Sequence, residues 1–193
     1  VRMHVDGVQG FMRVPMHMGK MGVDLYSISA HKIHGPKGVG ALVVKKGVRI
    51  AAQETGGGQE KNLRSGTYNS PGILGLGEAV KQMALRREQI EQIRMMKVHL
   101  WNRLSAIEGV RINGMPAEHM ASAPHVLSVS FDGVRGEVMR NALEGAGILV
   151  STGSACASHK QKVSQTLKAM GLTGEQADGT IRISLGMMNT LDE

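Results

Sequence analysis

Cysteine, aromatic rings and long apolar runs are all scarce in this chain, and each scarcity removes a class of explanation. A single cysteine, Cys156, among 193 residues cannot close an internal disulfide. Nor can it build a zinc site of the usual Cys-rich kind, so no metal is expected. Aromatic residues make up 3% of the sequence, which leaves few stacking platforms for single-stranded nucleic acid. No uninterrupted apolar run approaches the ~20 residues of a membrane-spanning helix, and the first residues lack the basic, apolar and cleavage-site order of a signal peptide. The sequence therefore reads as soluble, with the cytoplasm as its expected compartment. Acidic residues are outnumbered, 16 against 23 lysines and arginines, for a net charge of +7. Such an excess suits a polyanion partner or a plainly solvated basic surface, and with so few aromatics the second reading is preferred over nucleic-acid binding.

What the chain does have is apolar content for a core and an excess of glycine. At 41% hydrophobic and 20% charged it can bury one ordinary core and a small second one. Its 26 glycines are about twice the ~7% average, which points to tight turns and close backbone approaches. The first block reads as short strands between glycine-rich turns: Met3 and Val5 alternating before Asp6, then Leu25 to Ser29, then Ala41 to Val44. The last two runs are apolar with little alternation, as buried parallel strands are. From Pro71 to Ile107 the period becomes helical, with Ile90, Ile93, Leu100, Leu104 and Ile107 three and four apart and Lys97 interrupting the stripe. Beyond Gly109 a second α/β block follows, with strands expected at Val110 to Ile112, Val126 to Phe131 and Ile181 to Leu185, and helices near Gly136 to Ala146 and Val163 to Met170.

The stretch richest in chemistry runs Ser29-Ala30-His31-Lys32-Ile33-His34-Gly35-Pro36-Lys37-Gly38-Val39-Gly40, directly after an expected strand. A lysine at a strand end, between polar side chains and a glycine turn, stands where an amine can form a Schiff base with a carbonyl cofactor; a surface lysine in a loop is the ordinary alternative. A Walker-type phosphate loop is excluded because Gly38 follows Lys37, and Gly38-Val39-Gly40 is too short for a dinucleotide fingerprint. His31 and His34 have no thiol or carboxylate beside them to complete a metal set.

Four ordered motifs carry a family resemblance. Asp6-Gly7-Val8-Gln9, then Ser29-Ala30-His31-Lys32 with Gly35-Pro36-Lys37-Gly38, then Gly56-Gly57-Gly58-Gln59-Glu60 running into Arg64-Ser65-Gly66-Thr67, then Ser151-Thr152-Gly153-Ser154-Ala155-Cys156 resemble the cysteine desulfurases, class V aminotransferase-like enzymes dependent on pyridoxal 5'-phosphate. The resemblance implies a fold type I α/β architecture: residues 1–70 as the later part of the large cofactor domain with a mostly parallel sheet, 71–108 as a long helical connection, and 109–193 as a small C-terminal α/β domain. It also implies conversion of L-cysteine to L-alanine, with the sulfur destined for an iron–sulfur scaffold or a tRNA-thiolation protein.

By position, Lys32 corresponds to the cofactor lysine and Asp6 to the carboxylate that keeps the cofactor's ring nitrogen protonated, which lets the ring accept an electron pair. Gln9 corresponds to a donor to the phenolic oxygen, and Ser29 and His31 to phosphate ligands. Thr67 resembles the threonine that reaches the cofactor phosphate of the neighbouring subunit, implying a two-fold dimer with composite sites; a helix N-cap ahead of Pro71 is its ordinary alternative, shared with Asn69. Cys156, in a loop of small residues, corresponds to the thiol that receives sulfur as a persulfide. Arg182 matches the arginine that clamps the substrate carboxylate, the alternative being an exposed charge alternating on a strand.

Met187, Met188 and Thr55 depart from the family pattern, where a basic residue, an aromatic and a histidine often stand. The strand at the very start, the Ser/Thr-x-x-Glu capping pattern at Thr190 to Glu193 and the absence of the family's N-terminal half and last helix lead to the expectation of a fragment that folds poorly, binds the cofactor weakly and is inactive alone. Two other readings stand beside this one: a lyase or aminotransferase of the same fold, and a catalytically silent basic interaction module.

Overall fold

The computed structural model describes residues 1–152 and 164–193, which divide into two units, Val1–Arg87 and Glu88–Glu193. In the first, β1 (His4–Asp6) runs parallel to β2 (Leu25–Ser29), with Val5 opposite Tyr26 and Asp6 opposite Ser27. β3 (Gly40–Val44) closes the sheet on the other side of β2, and its direction differs from the expectation: it is antiparallel, pairing Leu25 with Val44 and Ser29 with Gly40. The reason is length. Only residues 30–39 separate β2 from β3, short of the dozen or more that a parallel crossover needs, and left-handed backbone at His34 (φ 67°) and Gly38 (φ 78°) turns the chain back on itself. Leu42 and Val43, expected to be buried, are 46% and 44% exposed.

Helix α1 (Ser70–Leu85) starts where Asn69 accepts a 3.1 Å hydrogen bond from Gly72 N, with Pro71 in its first turn where a missing N–H costs nothing. Its buried face is Gly72, Ala79 and Met83. Small residues set how near it comes to the turn after β2: a Cβ on Gly75 would lie 2.5 Å from Pro36 Cγ, and one on Gly35 would lie 3.2 Å from Ala79 Cβ. The single helical stretch read from Pro71 to Ile107 is in fact two helices. The first ends at Arg86, whose N–H bonds to Gln82 O and Met83 O, and α2 (Arg87–Ser105) follows.

The second unit is an antiparallel sheet in the order β4-β5-β7-β6, formed by β4 (Val110–Asn113), β5 (Val126–Phe131), β6 (Ser151–Thr152) and β7 (Thr180–Ser184). Alternation splits it into two faces. Leu127, Val129 and Ile181, each 1% exposed or less, pack beneath Leu100, Trp101 and Leu104 of α2 and Met139 and Leu143 of α3 (Gly136–Gly145). The opposite face is polar. There Asn113 Nδ2 donates to Ser130 Oγ at 2.8 Å, Ser130 Oγ pairs with Thr180 Oγ1 at 2.7 Å, and Thr180 Oγ1 donates to Gln176 O at 2.6 Å. Two short helices complete the unit, α4 (Gln165–Ala169) and α5 (Gly174–Asp178), the latter opened by a reciprocal capping box between Thr173 and Gln176. Val163, expected to start the α4 helix, lies outside the described residues. At the end of the chain Glu193 Oε2 accepts from Thr190 N at 3.1 Å, one half of the capping pattern read there. Among the described residues no helix is long and apolar enough to cross a membrane.

Lys97 does not interrupt the apolar stripe of α2; it is part of the buried face. It is 3% exposed, and its ammonium donates to Ser122 Oγ at 2.7 Å and to Ala123 O at 2.8 Å. One turn earlier, Arg94 Nη1 donates to Ser122 O at 3.2 Å and His119 O at 3.3 Å, so two cations fasten the 119–123 segment to the helix. Burial, and secondarily the charge of Arg94, holds the Lys97 pKa below the ordinary lysine range. The native state therefore binds that proton less tightly than the unfolded chain does. Below the lowered pKa the full cost of burying an ammonium is carried, and it is relieved as pH rises toward the ordinary lysine value. Stability, followed through the fluorescence of the single Trp101 in urea, should accordingly rise with pH across the alkaline range below about 10.4. Lys97→Met should flatten that rise and lower stability at neutral pH by about 1–3 kcal/mol, because two buried acceptors lose their donor.

Candidate functional site at the strand ends

The carboxyl ends of β1 and β2 lie side by side because the two strands are parallel, and this is where ligands enter open α/β sheets. Asp6 closes β1, and its exposed carboxylate accepts a 3.0 Å hydrogen bond from Val8 N, an Asx-type turn that starts the loop. Gly7 N extends the ladder by one bond to Ser27 O at 2.9 Å. Only glycine fits at that point. A Cβ on Gly7 would lie 2.0 Å from Cζ of Tyr26, whose ring is 4% exposed and is held above its ordinary pKa by burial first and by the charge of Asp6 second. Phe11 packs on the same ring, centroids 6.4 Å apart and tilted by 57°. Gln9 is exposed on this turn, three residues after Asp6.

β2 ends at Ser29 and passes at once into a 3-10 turn, Ala30–Ile33. In such a helix residues three apart share a face. Ala30 (0% exposed) and Ile33 (1%) take the inner face, which leaves His31 and Lys32 on the outer one. Ser29 Oγ and His31 Nδ1 are joined by a 2.8 Å hydrogen bond, so strand end and turn present hydroxyl and imidazole together. Ala30 N donates to Val39 O at 3.0 Å and Gly35 N to Ala30 O at 2.9 Å, which fixes the base of the turn. Five of the residues singled out from sequence, Asp6, Gln9, Ser29, His31 and Lys32, are thus gathered at the ends of two adjacent strands and on the turns that leave them.

Thr67 belongs to a different loop of the same unit. Ser65 N bonds to Glu54 O at 3.2 Å, Ser65 Oγ to Gly57 O at 2.8 Å, Arg64 pairs with Glu54 at 3.3 Å, and Gly66 N bonds to Gln59 Oε1 at 3.3 Å, closing residues 54–66 on themselves. Asn69 is the α1 cap, so the helix-cap alternative for Thr67 falls away and its side chain is exposed. Arg182 lies in the second unit, on the polar face of β7 between Ser128 and Ser151. It is half-buried, and its Nε is buried without a hydrogen-bond partner among the described residues, an unspent donor where a freely exposed strand charge would have none. Cys156 and its neighbours Gly153, Ser154, Ala155, Ala157 and Ser158 lie outside the described residues. Sequence reasoning missed Tyr26 and Phe11, whose rings shape the Asp6 turn; the signal available was two of the chain's few aromatic residues close to the first motif.

The donor set at the strand ends fits pyridoxal phosphate: a carboxylate for a protonated ring nitrogen, a hydroxyl and an imidazole at a strand end for a phosphate, an amine on the turn that follows, and a glycine where a side chain would crowd the turn. The cysteine desulfurase IscS of Proteus mirabilis is 43% identical over 196 residues, covering 98% of this chain and 46% of that protein. Among solved structures, a NifS-like protein superposes with a TM-score of 0.80 at 39% identity over 100% of this chain and 50% of its own. A NifS-like protein from Rickettsia africae gives the same TM-score at 32% identity, covering 99% and 50%. The chain spans about half the length of the curated relatives it matches. Residues 1–193 match the aminotransferase class-V family throughout, and the α/β arrangement is that of its NifS-like members: the chain belongs to the aminotransferase class-V family.

Proposed function

We propose that this chain carries the lysine, the ring and phosphate ligands and the sulfur-accepting cysteine of a pyridoxal-phosphate-dependent cysteine desulfurase, converting L-cysteine to L-alanine. The observation that carries the reading is the gathering of Asp6, Gln9, Ser29, His31 and Lys32 at the carboxyl ends of two parallel strands, in a chain 43% identical to a cysteine desulfurase. On this reading residues 1–70 serve the cofactor domain, 71–108 connect, and 109–193 form the small domain with the Cys156 loop. The enzyme works in the cytoplasm as a homodimer in which Thr67 serves the neighbouring subunit's site. Its partner is a sulfur acceptor of the iron–sulfur scaffold or tRNA-thiolation kind.

Bound pyridoxal phosphate supplies an electron sink for the pair released at the substrate Cα. The rest falls to the chain's own side chains. Asp6 holds a proton on the ring nitrogen, Ser29 and His31 hold the phosphate, and Gln9 donates to the phenolic oxygen. Lys32 would hold the cofactor through its amine and would move the proton at the substrate Cα. Arg182 clamps the substrate carboxylate in a bidentate grip. The Cys156 thiolate attacks the substrate sulfur: the bond between the two sulfurs forms as the bond between sulfur and Cβ breaks, Cβ takes a proton, and alanine leaves Cys156 as a persulfide.

The lysine, the cysteine and the Asp6 turn are tested in the chain supplied with the part of the relatives' length that it does not match. Lys32→Ala should abolish the covalent cofactor adduct that borohydride traps, read by peptide mass; trapping on Lys37 or Lys20 instead would misplace the active amine. Cys156→Ser should stop both alanine release and the gain of one sulfur on the peptide containing residue 156. Undiminished alanine from that variant would refute its role and favour a lyase. Gly7→Ala removes no chemical group, yet it should weaken cofactor retention about ten-fold or more, because a methyl there forces the Asp6 turn off the Tyr26 ring. Equilibrium dialysis against pyridoxal phosphate measures it.

A further inference from the structure

The turn that bears Asp6 and Gln9 continues past them. Gly10 N and Phe11 N bond to Gly7 O at 3.0 and 2.7 Å, and Arg13 N and Val14 N bond to Gly10 O at 3.0 and 2.8 Å, winding residues 7–14 into two successive turns. Met12 adopts left-handed backbone (φ 63°), a conformation that L residues with a side chain disfavour. Its effect is to deliver Arg13. Arg13 Nη2 donates a 2.5 Å hydrogen bond to the carbonyl oxygen of Lys32, across 19 positions of sequence. A bond from a charged donor is of the strong class. Lys32 lies in the last turn of a 3-10 helix, where carbonyls find no donor within the helix, so the guanidinium closes that helix end from the neighbouring loop.

The arrangement is costly. Arg13 is half-buried, burial holds its pKa below the ordinary arginine value, and its Nη1 is buried without a hydrogen-bond partner among the described residues. Left-handed backbone and a desolvated guanidinium are spent on one contact, and that contact is with the backbone of the lysine on which the site turns. The other hydrogen bonds of the segment anchor Ala30, through Val39 O and Gly35 N, and leave the Lys32 carbonyl to Arg13.

We propose that Arg13 is a positioning residue for Lys32: its guanidinium ties the Lys32 backbone to the turn carrying Asp6 and Gln9, so the amine and the ring ligands keep one register while the lysine side chain moves. The inference rests on the reading of Lys32 as the cofactor lysine. Arg13 itself touches no reacting group.

Two measurements on the full chain test it. In amide hydrogen exchange read by mass spectrometry, Arg13→Met should speed exchange of peptides covering residues 30–35 about ten-fold, the loss expected for one charge-assisted hydrogen bond. In borohydride trapping with added pyridoxal phosphate, the same variant should slow capture on Lys32 by about as much while capture on Lys20 and Lys37 is unchanged. Arg13→Lys, which keeps a cationic donor, should restore both; Arg13→Gln, which is polar but has no charge, should shift both in the same direction as Arg13→Met and carries the comparison if Arg13→Met fails to fold. Unchanged exchange in Arg13→Met, or in Arg13→Gln where that takes its place, overturns the tether. Faster exchange with undiminished capture on Lys32 makes Arg13 a structural residue only, and overturns the proposal. No preferential capture on Lys32 in the unsubstituted chain overturns the assignment of the lysine, and the positioning role with it.

Discussion

Parallel pairing of β1 with β2 is the constraint from which the first unit follows. A parallel register points both carboxyl ends the same way, so the side chains that close the two strands, Asp6 and Ser29, open onto one side of the sheet. Had the pair been antiparallel, Asp6 would face the start of β2 and the lysine turn would lie at the other end of the sheet. The pairing also extends past the last strand residue, through Gly7 N to Ser27 O, and that extra bond places Gly7 against the Tyr26 ring. Chemistry and packing therefore meet at one residue without a side chain.

The second unit answers a different demand. Its sheet needs an apolar face for α2 and α3 and a polar face that holds Arg182, and strict alternation along β5 and β7 supplies both from the same residues. Among the described residues, hydroxyls and an amide line this polar face: Asn113, Ser128, Ser130 and Thr180. Ser130 pairs with Thr180 and accepts from Asn113 Nδ2, while Asn113 Oδ1 and Arg182 Nε are each buried without a hydrogen-bond partner among the described residues. Lys97 is likewise held by uncharged acceptors, Ser122 Oγ and Ala123 O, whereas Arg94 adds an ion pair with Glu91 at 3.4 Å to its two backbone carbonyls.

Much of this was legible in the sequence. Apolar runs and alternation give the strands at 25–29 and 126–131 and a strand from Ile181 to Leu185 that is observed one residue earlier, while Asp6, Ser29 and His31 are singled out by the family resemblance, and Lys32 both by that and by its place after a strand. The direction of β3 was not legible from its apolar composition, because direction is set by the length and handedness of the connection rather than by the strand itself. Lys97 was misread for a related reason: a lysine in an apolar stripe looks like an interruption unless its acceptors are known, and Ser122 and Ala123 lie 25 and 26 positions away. Arg13 gave no signal at all, since its partner is a carbonyl oxygen that every residue possesses.

Glycine at position 75 has a mechanical consequence. With Pro36 Cγ where its side chain would be, and Ala79 against Gly35 one turn later, α1 touches the turn that follows Lys32 through the ring of Pro36 and the methyl of Ala79, neither of them part of a freely rotating side chain that could absorb displacement. Such a contact behaves as a rigid strut, as close-packed interiors do. A sideways shift of α1, whatever binds its exposed face, would be felt behind Lys32 as a movement of the turn itself rather than as a change in packing. The outer surface of α1 is in that sense the back of the candidate site.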